Sequence, residues 1–502
     1  MKTKKLVTIL LTLILAIGVL PMSAFAAQRN VASGSTASIT VENAVENDVL
    51  AAYKVVDITY NDATNVLSYA WNSNFADYFA GTTSYNATAY TVEQFAALTS
   101  DSTELKNLLA QIPNYIENRS IAPVATKTVG ADKSATFETL AMGEYFIRPT
   151  STTSVYQLML QKVEPVVATV GGKDTYVIDD VTFNAKHKEV AVDKTADKTS
   201  VTKNENVTYT VKVDVPTYAS QSVDKSFYVS DLLPDGLTLN VASIKVQIDG
   251  VDVSDAAYTL DTTATGAYTF KLSVDNAKYE ANWAVNGGKQ LVITYTAKLN
   301  DNATTEVNTK ETNTVTFDYS FYPYVENSHE QKTDTVDVTT FAIKIDKFVL
   351  GNEAEKLANA KFDLYRTATQ AEIDAGTTVV IPHTSINGVK LEGDKVTDTN
   401  GAVTFEKYEA NATNYDYYLV ETQAPSGYNI LDNAIKVNFT DAEVEATAGI
   451  YTVQVPNNSG IKLPTTGGVG TVIFTVVGIL LMAGAVVLLI VSRKRSKAKE
   501  SE

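Results

Sequence analysis

Three residue types able to react with one another, a lysine, an asparagine and a carboxylic acid, recur twice along the chain in the same order. Lys194 follows Val190 and Val192 at alternate positions, and Lys347 follows Phe341, Ile343 and Ile345 in the same way. Alternate residues of a β-strand share a face, so each lysine points to the side that its apolar neighbours define as buried. Downstream, Asn313 is in phase with Val315, Phe317 and Tyr319, and Asn457 with Tyr451, Val453 and Val455. The acids complete the pattern, Asp231 in phase with Phe227 and Val229, Glu421 with Tyr417 and Leu419.

Shut away from water, such a trio has a defined chemical outcome. Desolvation favours the neutral, nucleophilic amine, and it raises a carboxyl pKa so that the protonated acid can polarise the carboxamide by hydrogen bonding. Attack on the amide carbon expels ammonia and leaves an isopeptide bond. Lys194 with Asn313 and Lys347 with Asn457 are the expected pairs, promoted by Asp231 and Glu421. The reaction happens once per domain, so the chain is its own substrate and has no turnover. The competing reading of any one of these residues is a strand-end side chain that reaches solvent, with Asp231 merely opening the turn Pro234, Asp235, Gly236. Recurrence of both trios in one order and one phase argues against it.

These groups need strands to hold them, and strands dominate from about Val181 onward. Val207, Tyr209, Val211, Val213 and Val215 alternate with polar residues, as do Leu291, Ile293, Tyr295, Ala297 and Leu299, each run reading as a strand with one buried face. Turn signals at Pro234-Asp235-Gly236, Asn286-Gly287-Gly288 and Asn400-Gly401 separate the runs, the beat of a β-sandwich. The N-terminal third differs. Strand-like stretches at 37–41 and 51–58 precede a helical region, 91–116, with cap signals at Thr91 with Gln94 and at Asp101 with Glu104, and an apolar face of Leu105, Leu108, Leu109 and Ile112. The expected fold is mainly β: tandem immunoglobulin-like sandwiches behind a mixed α+β N-terminal domain, with a C-terminal transmembrane helix.

The ends carry targeting signals. Lys2, Lys4 and Lys5, an apolar run from Leu6 to Leu20 and the small residues Ala24 and Ala26 predict a signal peptide. Near the other end an apolar stretch of membrane-spanning length precedes Arg493, Lys494 and Arg495. The net charge of −17 argues against nucleic acid as a partner. With no cysteine and three dispersed histidines, neither disulfides nor a thiolate or histidine metal site is expected, and no cofactor. Whatever staples this exported chain must be something else.

The stretch from Tyr417 to Tyr428, with Leu419, Glu421, Thr422, Ala424, Pro425 and Gly427 at fixed positions, resembles the E-box of sortase-assembled pilins and Cna type B-like domains. That resemblance implies that Glu421 assists bond formation between Lys347 and Asn457. The middle region, with Lys194, the segment Phe227 to Thr238 and Asn313, is similar to the Cna type A-like domain of backbone pilins, in which an aspartate serves instead. Leu463, Pro464, Thr465, Thr466 and Gly467, followed by the apolar span and basic tail, resemble the LPXTG signal that sortases cut between Thr and Gly. The family places the acceptor lysine at the end of the N-terminal domain, commonly in Tyr-Pro-Lys-Asn. Here Asn184 and Ala185 replace Tyr-Pro before Lys186, and Lys188 is the alternative acceptor.

The expected layout is therefore a signal peptide (1–26), an N-terminal pilin domain (27–185), a Cna type A-like middle domain (186–339), a Cna type B-like domain (340–460), the sorting signal (463–467), a membrane span (469–491) and a basic cytoplasmic tail (492–502). The resemblance implies a shaft subunit of a wall-anchored pilus, Thr466 joined to Lys186 of a neighbour. Its partners would be other pilin subunits, pilus-specific and housekeeping sortases, peptidoglycan and a host surface ligand. The alternatives are a monomeric wall-anchored adhesin, an ancillary pilin, and a secreted hydrolase using Asp231 and Glu421, which however fall in different predicted domains.

Overall fold

The computed structural model describes residues 29–99, 102–152, 154–170, 172–304, 310–410, 416–460 and 469–498. The expected signal peptide, Asp101 and the sorting residues Leu463, Pro464, Thr465, Thr466 and Gly467 lie outside the described residues. Two compact units divide the chain, the boundary falling between Thr340 and Phe341.

The first unit contains two hydrophobic cores. In the first, the long antiparallel pair Val49–Asn61 and Gly143–Ser151 supports the helix Thr103–Arg119, which buries Leu105, Leu108, Leu109 and Ile112 as their spacing requires. Thr91 and Gln94 form a reciprocal capping box on the short helix Val92–Ala96. The longer helix is capped by Ser102, whose hydroxyl accepts from Leu105 N at 3.2 Å. That position was assigned to Asp101 on sequence; serine does the same work one residue later.

Two five-stranded sheets enclose the second core. One runs Val192–Ala196, Asn206–Asp214, Gln290–Leu299, Leu237–Ile248, Val251–Asp252; the other Thr259–Asp261, Phe270–Val274, Phe227–Leu232, Glu311–Ser320, His329–Val338. Strict alternation of buried and partly exposed residues along Asn206–Asp214 and Gln290–Leu299 sends one side of each strand into the sandwich. Between the strands Glu311–Ser320 and His329–Val338, Tyr322 and Tyr324 leave this sandwich and join the first core. There the Arg148 guanidinium lies 5.6 Å from the Tyr53 ring centre and 6.0 Å from that of Tyr322, cation–π contacts that hold the incoming tyrosine within the first core.

The second unit is a smaller sandwich. Phe341–Val349 is flanked by antiparallel Ala402–Tyr408 and parallel Ile450–Asn457, facing a five-stranded sheet centred on Lys361–Thr367. The helix Val469–Ala498 follows. Its stretch Phe474–Arg493, 20 residues with mean hydropathy 2.9, is long and apolar enough to cross a membrane.

Candidate functional site

Parity placed six side chains inside, and all six are inside: Lys194, Asp231, Asn313, Lys347, Glu421 and Asn457 each expose 4% or less of their surface. They form two clusters, one in each sandwich.

In the second unit, Phe341–Val349 and Ile450–Asn457 are hydrogen-bonded parallel neighbours, so lysine and asparagine arise from the same sheet. Lys347 Nζ contacts Asn457 Oδ1 directly. Glu421 comes from the opposing sheet, and its Oε1 lies 3.2 Å from Lys347 Nζ and accepts from Asn457 Nδ2 at 2.9 Å. Its other oxygen accepts from Leu431 N at 2.8 Å, which fixes the carboxylate's rotation. One acid oxygen therefore touches both the nucleophile and the leaving group. Burial pulls the Lys347 amine down to about 8, against the opposing pull of Glu421, so a substantial neutral fraction exists near neutrality.

The middle cluster is built differently. Lys194 stands on an edge strand of one sheet, opposite Val211, while Asp231 and Asn313 stand on adjacent strands of the other, Asp231 being paired with Val315. A link here would cross the sandwich. Lys194 Nζ contacts Asp231 Oδ2 and donates to the Tyr295 hydroxyl at 2.8 Å. Burial pushes the Lys194 amine down and the Asp231 carboxyl up, each opposed by the other's charge, both toward the neutral pair. Asp231 is fully buried and committed to this contact, not to the turn that follows it.

Sequence reasoning passed over Tyr295, treating it as one more apolar residue of an alternating strand. Its hydroxyl donates to Asp231 Oδ1 at 2.8 Å and accepts from Asn313 Nδ2 at 2.7 Å, so it connects all three members of the middle trio. The available signal was chemical: a tyrosine pointing into a core needs a polar partner there.

His329 is one of the three dispersed histidines, whose spacing argues against a histidine triad. Its Nε2 is 3.1 Å from both Ser226 Oγ and Asp224 Oδ2, and its Nδ1 contacts Asp318 Oδ1. A serine, a histidine and an acid in this order suggest a hydrolytic triad. Yet burial, which would lower the His329 pKa, is outweighed by the two carboxylates, which raise it to about 9. An imidazolium held from both sides has no lone pair to act as a base, and the Ser226 hydroxyl is donated to Asp224 Oδ1 at 2.6 Å. Asp224 also accepts from Asn327 N at 3.1 Å, so the cluster clasps the segment that carries Tyr322 and Tyr324. Among the described residues no group of three or more His, Cys, Asp or Glu side chains could hold a metal ion.

Lys186 and Lys188 are both exposed. The backbone around them is held: Val181–Asn184 pairs with Thr36–Glu42, Lys186 O accepts from Gln157 N at 2.9 Å, and His187–Glu189 pairs with Ser154–Tyr156.

Residues 342–452 match the family described as the SpaA prealbumin-like fold domain, and residues 455–498 the LPXTG cell wall anchor motif. The chain is 27% identical over 351 residues to fimbrial subunit type 1 of Actinomyces viscosus, a match covering 61% of this chain and 65% of the relative. It is 22% identical over 361 residues to the trypsin-resistant surface T6 protein of Streptococcus pyogenes, covering 58% and 65%. The matched region thus spans just under two thirds of each relative's length. Among solved structures it resembles the T6 backbone pilin of Streptococcus pyogenes serotype M6, with TM-score 0.56, 18% identity and coverage of 81% and 80%. The full-length major pilin SpaD from Corynebacterium diphtheriae gives TM-score 0.54 and 17% identity, with coverage of 86% and 99%. At such identities the structural likeness is one of fold. The chain therefore combines a SpaA prealbumin-like domain with an LPXTG cell wall anchor, and is a wall-anchored homologue of fimbrial subunits that has the backbone-pilin fold.

Proposed function

We propose that the chain is the shaft subunit of a covalently polymerised surface pilus, each of its two sandwiches locked by an internal lysine–asparagine isopeptide bond. The observation that carries this is the pair of buried clusters, Lys194–Asp231–Asn313 and Lys347–Glu421–Asn457, in a chain ending in a wall-anchor motif. A charged amine is costly to bury. Conversion to a neutral secondary amide removes that cost permanently, which gives the placement a reason.

In this reading a pilus-specific sortase cleaves between Thr466 and Gly467 and transfers the Thr466 acyl group to Lys186 of a neighbouring subunit. Lys188 is the alternative acceptor. A housekeeping sortase finally moves the chain to peptidoglycan. Tension then runs from near the start of the middle sandwich to the end of the last. Each internal bond ties a domain's first strand to its last or next-to-last, so load crosses a covalent link instead of peeling a sheet. By the loop-entropy argument for cross-links, closing loops of about 110–120 residues contributes ~4–5 kcal/mol each.

The test has two arms. Intact mass of the secreted ectodomain should fall short of the sequence mass by two ammonia molecules, about 17 Da each. Lys186→Ala should abolish the high-mass ladder in wall extracts while leaving wall-anchored monomer. A persistent ladder removes Lys186 from its role, and a wild-type chain that yields only monomer makes it a monomeric wall-anchored adhesin instead.

A further inference from the structure

The two clusters differ in one respect that bears on how each reacts. In the second unit a single oxygen, Glu421 Oε1, reaches both Lys347 Nζ, at 3.2 Å, and Asn457 Nδ2, at 2.9 Å. In the middle sandwich the acid is shorter by one methylene. Among the described residues no hydrogen bond links Asp231 to Asn313. The place that the glutamate oxygen takes beside the carboxamide is filled by the Tyr295 hydroxyl, 2.7 Å from Asn313 Nδ2 and 2.8 Å from Asp231 Oδ1. The same hydroxyl accepts from Lys194 Nζ at 2.8 Å.

We infer that Tyr295 is a catalytic residue of the middle cross-link, a proton relay that extends Asp231 to the leaving nitrogen of Asn313; the inference rests on the cross-linking reading of this cluster. Attack of neutral Lys194 Nζ on Asn313 Cγ forms the new C–N bond. It leaves an oxyanion at Oδ1 and one proton too many on Nζ. Before the Cγ–Nδ2 bond can break, Nδ2 must gain a proton, since an amide anion is far too poor a leaving group. Nζ returns its extra proton to Asp231 Oδ2, the neutral acid passes the proton it already carries on Oδ1 to the tyrosine oxygen, and Tyr295, its hydroxyl turned from Asp231 toward the carboxamide, delivers its own to Nδ2. Ammonia departs with the electrons of the broken bond, the oxyanion collapses to a carbonyl, and acid and phenol end as they began. The sum is an amine plus a carboxamide giving a secondary amide plus ammonia, with no oxidant, reductant or metal.

The geometry suits a relay better than a packing role alone. A phenol that accepts two hydrogen bonds and donates one is saturated in the ground state. Turning its single proton from Asp231 to Asn313 requires only rotation of the hydroxyl. The ring is held meanwhile against Tyr209, with centroids 5.4 Å apart, and against Phe270 at 5.1 Å. In the second unit Glu421 does both jobs and needs no such intermediary.

The test uses newly synthesised full-length ectodomain, sampled over time and analysed by intact mass and by mapping the cross-linked tryptic peptides. Tyr295→Phe keeps the ring and removes the hydroxyl. We expect the Lys347–Asn457 link to form at the wild-type rate and the Lys194–Asn313 link to slow by about 10²–10⁴-fold, the usual range for lost acid–base catalysis. Adding Asp231→Glu to Tyr295→Phe should restore most of the rate, because the longer acid reaches the carboxamide itself. Formation of the middle link at the wild-type rate in Tyr295→Phe overturns the relay. So does failed rescue together with a lowered melting temperature when Tyr295→Phe is placed in an Asn313→Ala background, since that assigns the hydroxyl a structural role. A wild-type chain with no middle link at all overturns the cross-linking reading itself, a separate and distinguishable result.

Discussion

Lys347 and Asn457 stand on neighbouring parallel strands two residues out of register: Lys347 lies opposite Val455 and Asn457 opposite Val349. The diagonal suits their unequal lengths, since the long lysine stem leans along its strand to bring Nζ against the short carboxamide. Glu421 then closes the triangle from the other sheet.

Replacing Glu421 by Gln removes the acid proposed to carry the proton while keeping size and shape. The Lys347–Asn457 link should form at least about 10²-fold more slowly, leaving one ammonia in the chain, while the Lys194–Asn313 link is unaffected. Intact mass with peptide mapping reads both. A variant that retains both links at normal rate would remove Glu421 from the chemistry.

The pH dependence of linkage follows from the amine. With Lys347 at about 8, its neutral fraction rises about tenfold per pH unit below that value and saturates above it. Newly made protein transferred to buffers between pH 5 and 9 should form the second-unit link at rates that climb and then level near pH 8. A flat profile would mean that the free amine is not what limits the step.

His329 gives stability the opposite pH dependence. Its folded pKa of about 9 lies above its unfolded value, roughly 6.5. The stabilisation it contributes is therefore fully present below about pH 6.5 and is lost as pH rises through 9, at most roughly 3 kcal/mol and less once solvent screening at this partly exposed site is counted. His329→Gln should destabilise the first unit markedly in urea at pH 6 and hardly at pH 10. An equal penalty at both pH values would show that charge is not the cause.

Gly401 supports the lysine strand from below. It adopts a φ of +70°, its carbonyl accepts from Lys347 N at 2.8 Å, and a Cβ built there would lie 2.2 Å from Lys347 O. Gly401→Ala must displace that strand, at a cost of roughly 1–3 kcal/mol, and should slow the adjacent link. Denaturant unfolding in a Lys347→Ala background isolates the strain from the chemistry. No loss of stability there would mean that the turn relaxes freely.

Parity along single strands was enough to find Lys194, Asp231, Asn313, Lys347, Glu421 and Asn457, because a strand's period of two fixes which face each residue takes once its apolar neighbours are known. The helix Thr103–Arg119 was equally legible from its 3.6-residue spacing. Which residues meet across the gap between two sheets is not a property of any one strand. Tyr295 reads locally as core and meets the reactive groups only because the sandwich sets its hydroxyl between Asp231 and Asn313. The same holds for His329, whose charge is fixed by acids 11 and 105 residues away in the chain, and for Tyr322 and Tyr324, which leave their own sandwich for a neighbouring core. Local pattern decides which way a side chain faces, and tertiary packing alone decides what it finds there.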